Sequence, residues 1–290
     1  MDLAQIKIEY LAQRQQLRAP SLRTRLFAHL PRWLYRWPLL GRLPHWYNRS
    51  TGLQQLLSRW LGLAKRDFPV TQTQPFDDRA LPTQATDLKL VLFVDCYSRH
   101  YQPEVAEAAI ELLQAGGCEV QLVYPLLNAI DPDRPLCCGR TYLAQGLVKQ
   151  AKEEALRVIN ALLPWVEQGY PVVGLEPSCL LAIRDDYRAL GLGDAADKVS
   201  RQAWLLEEFL ARELRSGKLQ LAFTPDPDGK PLLVHGHCHQ KAVGAMKSMR
   251  KVLGYLPDTQ VEFIEASCCG MGGSFGYEQE HLALSQAMAE

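Results

Sequence analysis

Two Cys-Cys-Gly triplets, Cys137-Cys138-Gly139 and Cys268-Cys269-Gly270, constrain this chain more than any other feature. Consecutive side chains of extended backbone point to opposite faces, so vicinal cysteines pack awkwardly. A following glycine lets the backbone turn tightly and come close to whatever the sulfurs hold. Each triplet has a lone cysteine upstream, closing an apolar run: VLFVDC ends at Cys96 and LLVHGHC ends at Cys238. The unit reads as strand, Cys, helix, then Cys-Cys-Gly, and it occurs twice. Grouped thiolates of this kind suit soft metals, iron–sulfur clusters above all.

The rest of the pattern gives the fold class. Strands are expected at 89–95, 119–124, 171–175, 219–223, 232–235 and 261–265. Helices are expected at 103–115, 142–168, 180–189, 201–215, 241–253 and 278–289. Short Val- and Leu-rich strands alternating with helices indicate an α/β fold with parallel sheets, whose ligands sit beyond the carboxyl ends of strands. Gly116 and Gly169 fall where helix C-caps belong. The expected organisation is a helical basic and aromatic arm (1–66), a polar linker (67–86), a first lobe (87–225) and a second lobe (226–290) that reads as truncated. The two lobes read as cysteine-rich pseudo-repeats.

The arm has a marked charge bias. Between Leu22 and Arg66 stand nine basic residues and no acidic ones, interleaved with Trp33, Trp37, Trp46 and Trp60, whereas the whole chain has a net charge of zero. Pro31, Pro38 and Pro44 are expected to break it into short helices. Such a segment suits an anionic membrane surface, a partner subunit, or its own protein. The neutral total gives no indication of nucleic acid. No apolar stretch reaches membrane-span length and no signal peptide is evident, so a reducing cytoplasm is expected, where clustered cysteines indicate metal or redox chemistry.

The candidate ligands are Cys96, Cys137, Cys138 and Cys179 in the first lobe, and Cys238, Cys268 and Cys269 in the second. The first set offers four thiols. The second offers three, to be completed by a histidine, by another chain, or not at all. His237 and His239 are candidates for ligation or for hydrogen bonding to cluster sulfur, and Gly139 and Gly270 for close backbone approach. Cys118, in AGGCEV, has no partner spacing and reads as structural. The glycines of CCGMGGSFG match neither a dinucleotide-binding nor a P-loop pattern. An alternative is zinc held by three cysteines and a histidine in a non-catalytic assembly protein. A further one is a degenerate fragment with no cluster.

RPLCCGR (134–140), VVGLEPSCL (172–180), VHGHCHQKA (234–242) and SCCGMGGSFGYE (267–278) resemble the CCG-type cysteine-rich family of heterodisulfide reductase and glycolate oxidase iron–sulfur subunits. The resemblance is closest to the C-terminal part of bacterial fused FAD-linked oxidases that act on D-2-hydroxy acids such as D-lactate or D-2-hydroxyglutarate. It implies an iron–sulfur cluster, [4Fe–4S] in type, and electron transfer from a flavin on a partner chain or another domain. It also implies a flavoprotein partner, with electrons passed to a quinone or another acceptor, and the basic arm would suit peripheral attachment at the inner face of the membrane. The family's ferredoxin-like segment, FAD-binding part and C-terminal cysteine element have no counterpart between Met1 and Glu290, so the resemblance implies a split or truncated iron–sulfur portion that is not catalytic alone.

Overall fold

The computed structural model describes residues 3–78, 81, 86–225, 229–266 and 268–290. Part of the expected linker, at 79–80 and 82–85, therefore lies outside the described residues. The helices are α1 (Leu3–Leu17), α2 (Leu22–Arg36), α3 (Leu43–Arg49), α4 (Thr51–Leu61), α5 (Cys96–His100), α6 (Pro103–Ala115), α7 (Arg140–Ala144), α8 (Val148–Glu167), α9 (Pro177–Leu181), α10 (Tyr187–Ala189), α11 (Asp194–Arg201), α12 (Leu206–Ser216), α13 (Cys238–Ala242), α14 (Met246–Leu253) and α15 (Leu282–Ala289). The strands are β1 (Lys89–Phe93), β2 (Glu119–Leu122), β3 (Val172–Gly174), β4 (Ala203–Leu205), β5 (Leu232–Val234) and β6 (Val261–Phe263). The chain forms two compact units, one of Met1–Pro75, Pro125–Val158 and Cys268–Glu290, the other of Phe76–Tyr124 and Ile159–Ser267.

The second unit carries both sheets. Four parallel strands run in the order β2-β1-β3-β4, and β5 pairs in parallel with β6. Leu90, Leu92, Ile110, Leu113, Val120, Val173 and Phe209 form the core around the larger sheet. Its central strands are buried on both faces, which is why they read as continuous apolar runs rather than alternating ones. From β1 the chain goes to one side for β2 and to the other for β3. The reversal makes the carboxyl ends of β1 and β3 the topological switch point, the usual ligand position in such sheets.

The first unit is helical and is assembled around the basic segment. In α2, Ala28, Arg32 and Leu34 are buried. The Tyr47 hydroxyl donates to the Ala64 carbonyl at 2.7 Å. Phe68 stacks on Tyr277 with ring centroids 4.4 Å apart, and Phe27 stacks beside them. An isolated bridge joins Leu63 to Glu278. Much of the segment thus packs on its own protein, and its aromatic residues divide. Tyr47 is buried, while Trp37, Trp46 and Trp60 remain exposed.

Several local expectations are corrected. Pro31 does not interrupt α2, which runs through it. Pro38 and Pro44 instead sit in the first turns of a 3-10 segment (Pro38–Arg42) and of α3, where a missing N–H costs nothing. Residues 219–223 form no strand, and 203–205, expected within a helix, form edge strand β4. Ala-Trp-Leu pairs beside β3 before the helical pattern of LEEFLARELRS begins. The long helix expected at 142–168 is two, separated at Gly146 (φ +72°). Gly116 does cap helix α6 as expected, with φ −78°, and the left-handed residue is the next one, Gly117 (φ +85°).

Candidate metal centre

Three of the lone cysteines occupy equivalent places in the second unit. Cys96 follows β1, Cys179 follows β3 and Cys238 follows β5, each in the first turn of a short helix. Each helix is capped by a nearby polar side chain. Asp95 accepts from the amides of Tyr97 (2.8 Å) and Ser98 (3.0 Å) and from the Ser98 hydroxyl. Glu176 accepts from the Ser178 amide and hydroxyl. His237 Nδ1 accepts from the His239 amide at 3.1 Å, while the His237 amide donates to Gln240. Cys96 and Cys179 thus emerge from neighbouring strands at the switch point of the sheet. Burial pushes the Asp95 carboxyl above the usual range, and the nearby Glu176 charge adds to this against the opposing Ser98 bonds.

Behind Cys238, the Gln240 amide donates to the buried Glu207 at 2.5 Å. Burial raises the Glu207 carboxyl as well. His239 Nε2 lies 3.7 Å from Asp185, within the π-helical turn Ala182–Asp186 that follows Cys179. Cys179 is buried and Cys238 is exposed. Cys118 is fully buried with its thiol pushed up to about 12, first by burial and then by Glu213, which suits a structural thiol.

Both Cys-Cys-Gly pairs lie in the first unit. Cys137 and Cys138 are buried, Cys268 is partly so, and Cys269 is exposed. Gly139 caps α7 with φ +76°, and a Cβ there would meet the Ala151 carbonyl oxygen at 3.2 Å. Gly270 has φ +73°, and a Cβ would stand 2.0 Å from the Ser285 oxygen. Glycine is therefore demanded twice at each position, by dihedral angle and by the passing backbone. The Gly270 amide turns back to donate to Cys268 Sγ at 3.3 Å.

Around Cys137 stands a group that sequence reading missed. Arg32 Nη2 donates to Cys137 Sγ at 3.3 Å. The same guanidinium donates to Ala28 O (2.7 Å) and Thr141 Oγ1 (2.8 Å), faces Glu154 (3.4 Å), and stacks 3.6 Å over the Tyr142 ring. Glu154 is also held by Arg134 in a fork at 2.7 and 3.2 Å and by Arg157 at 3.0 Å. Arg134 further binds Asp131 at 2.7 Å. Arg134 remains above its ordinary value because these bonds outweigh its burial. The sequence signals were present but scattered. Arg134 opens RPLCCGR, and Glu154 and Arg157 are one helical turn apart on α8. Only the fold could bring Arg32 to them.

Among the described residues, no three His, Cys, Asp or Glu side chains are gathered closely enough to hold a metal ion as they stand. The donor chemistry at Cys137 nevertheless fits a thiolate-bound anionic cluster, since the sulfur is sheltered from water and faces a guanidinium. Among the described residues, no helix is long and apolar enough to cross a membrane.

A parallel α/β body with cysteines after its strands, followed by Cys-Cys-Gly turns, matches the CCG cysteine-rich domain over residues 90–184 and 232–290, and the chain belongs to that family. It is 26% identical over 219 residues to a component of the anaerobic glycerol-3-phosphate dehydrogenase of Escherichia coli K12, covering 72% of this chain and 50% of that one. Lactate utilization protein A of Bacillus subtilis is 26% identical over 206 residues, 68% of this chain and 78% of that protein. D-2-hydroxyglutarate dehydrogenase of Pantoea ananatis is 23% identical over 198 residues, 68% of this chain but 18% of its own length. The chain thus spans about half the length of the glycerol-3-phosphate dehydrogenase component.

Proposed function

We propose that this chain is the iron–sulfur electron-transfer portion of an FAD-linked oxidoreductase acting on a D-2-hydroxy acid or a similar small hydroxylated substrate. The observation that carries the reading is the double match to the cysteine-rich domain, once at each Cys-Cys-Gly segment. Dehydrogenases and a lactate-utilisation protein among the relatives support the redox assignment. The ligands of one set would be Cys96, Cys137, Cys138 and Cys179. Those of the other would be Cys238, Cys268 and Cys269, with His237 or His239 near them. A bound [4Fe–4S] cluster would supply one-electron transfer. The chain's own residues would shelter the sulfurs, donate hydrogen bonds to them and fix the turns that present them.

The flavin would be carried by a partner chain or another domain, and the acceptor would be quinone-linked. The setting would be cytoplasmic, at the inner face of the membrane, where the exposed Trp37, Trp46 and Trp60 of the basic segment suit peripheral contact. The two lobes, 87–225 and 226–290, would be the pseudo-repeats, following the arm at 1–66 and the linker at 67–86. Anaerobic purification with iron, acid-labile sulfide and zinc analysis tests the reading. Brown protein with iron and sulfide is expected. Colourless protein with stoichiometric zinc overturns it in favour of a metal-binding assembly protein.

A further inference from the structure

We infer that Arg32, on α2 and far from either Cys-Cys-Gly motif in sequence, is a positioning residue for Cys137 that holds negative charge at its sulfur and raises the reduction potential of the bound cluster. The inference deepens the iron–sulfur reading and rests on it.

The geometry is specific. Arg32 is 8% exposed and Cys137 4% exposed, so their contact is little screened by water. The guanidinium is fixed on several sides, by Ala28 O, Thr141 Oγ1, the Glu154 carboxylate and the Tyr142 ring, leaving Nη2 aimed at Sγ. A fixed fork gives up little rotamer freedom when it makes this bond. Arg32, Arg134 and Arg157 all reach Glu154, and Arg134 also reaches Asp131. Glu154 is shared by all three arginines, and Arg32 reaches it at the longest distance, 3.4 Å, while its Nη2 meets a sulfur. A buried cation is costly unless negative charge stands close to it, so a negatively charged sulfur suits this pocket. Adding an electron to a cluster adds negative charge, which a fixed cation nearby favours. Removing that cation therefore lowers the potential.

The test uses the full chain, purified anaerobically, with redox titration followed by visible absorption and electron paramagnetic resonance. Arg32→Gln is expected to keep iron and sulfide yet lower the midpoint potential, changing the oxidised-to-reduced ratio at fixed potential about tenfold, or about 59 mV for a one-electron couple. Arg32→Lys retains the charge without the fork and should recover part of the shift. Thr141→Val, which loosens one anchor of the guanidinium, should shift the potential in the same direction by less. Arg157→Gln disturbs the same ion network through Glu154 rather than at the sulfur, so it should move the potential least. If Arg32→Gln does not fold, the ordering of Arg32→Lys and Thr141→Val against Arg157→Gln decides. An unchanged potential in iron-replete Arg32 variants, or an equal shift in Arg157→Gln, overturns the assignment while leaving the iron–sulfur reading intact. Iron-free, colourless wild-type protein overturns both.

Discussion

Three left-handed glycines of the first unit separate the cost of a dihedral angle from the cost of a collision. Gly273, Gly139 and Gly270 have φ values of +71°, +76° and +73°. An alanine at any of them meets about the same backbone penalty, roughly 1–2 kcal/mol. The space that a methyl group would enter differs sharply. Nothing lies within 4 Å at Gly273, the Ala151 oxygen lies at 3.2 Å at Gly139, and the Ser285 oxygen lies at 2.0 Å at Gly270. Ser285 is fully buried on α15 and its hydroxyl is held by Arg66 at 2.9 Å, so it cannot retreat without moving the helix. Overpacking of this kind adds about 1–3 kcal/mol. The expected losses are therefore about 1–2 kcal/mol for Gly273→Ala, slightly more for Gly139→Ala, and about 2–5 kcal/mol for Gly270→Ala. Urea titration followed by tryptophan fluorescence reads them, because Trp33, Trp37, Trp46 and Trp60 all belong to this unit. Equal midpoints for Gly270→Ala and Gly273→Ala would refute the reasoning, since dihedral strain alone would then account for both.

Other outcomes follow from the same structure. Cys138→Ser should remove more iron than Cys118→Ser, measured by metal analysis; equal losses would mean that ligand and bystander thiols are wrongly sorted. Deleting residues 1–66 takes away Arg32, Leu34 and Tyr47, all buried, so the first unit should lose cooperative unfolding and the product should be poorly soluble. A soluble deletion with an unchanged unfolding transition would contradict this. Glu280 is held at about 2, chiefly by its hydrogen bond from Arg23. Its folded value lies below the ordinary one, so its contribution is complete above about pH 4.5 and disappears as pH falls toward 2. The pair is partly exposed, which limits the effect to about 1 kcal/mol or less. Arg23→Ala should flatten stability against pH in that acid window and leave it unchanged in shape near neutrality.

Much of the second unit was legible from its residues. Parallel strands buried on both faces announce themselves as runs such as KLVLF and VVG, and the cysteines that close those runs lie where ligands of such sheets gather. Strand β4 was not legible, because three residues between two amphipathic helices carry too little periodicity to be separated from them. The helical unit was harder. Nine cations without an anion look like a surface, yet Arg32 is buried because its partners Glu154, Thr141 and Cys137 arrive from a segment about a hundred residues further along. Local pattern carries no trace of such a pairing. The glycines of the triplets were legible as needing freedom; that Ala151 and Ser285 occupy the space beside them was not.

The composition of the first unit from 1–75, 125–158 and 268–290 sets the order of events during synthesis. Its contacts join the first helices to residues 268–290, so the loops to be closed are long and their closure is slow. The buried Arg32 of α2 must wait on the ribosome for Cys137, Thr141 and Glu154, and Arg23 and Phe27 on the same helix for Glu280 and Tyr277. The Cys268-Cys269-Gly270 turn meets its neighbour Ser285 only at that last stage. A nascent chain stalled earlier would expose Trp-rich helices and incomplete thiol sets together, the state most open to aggregation and oxidation. Late closure by residues 268–290 is the order of steps that this interleaving imposes.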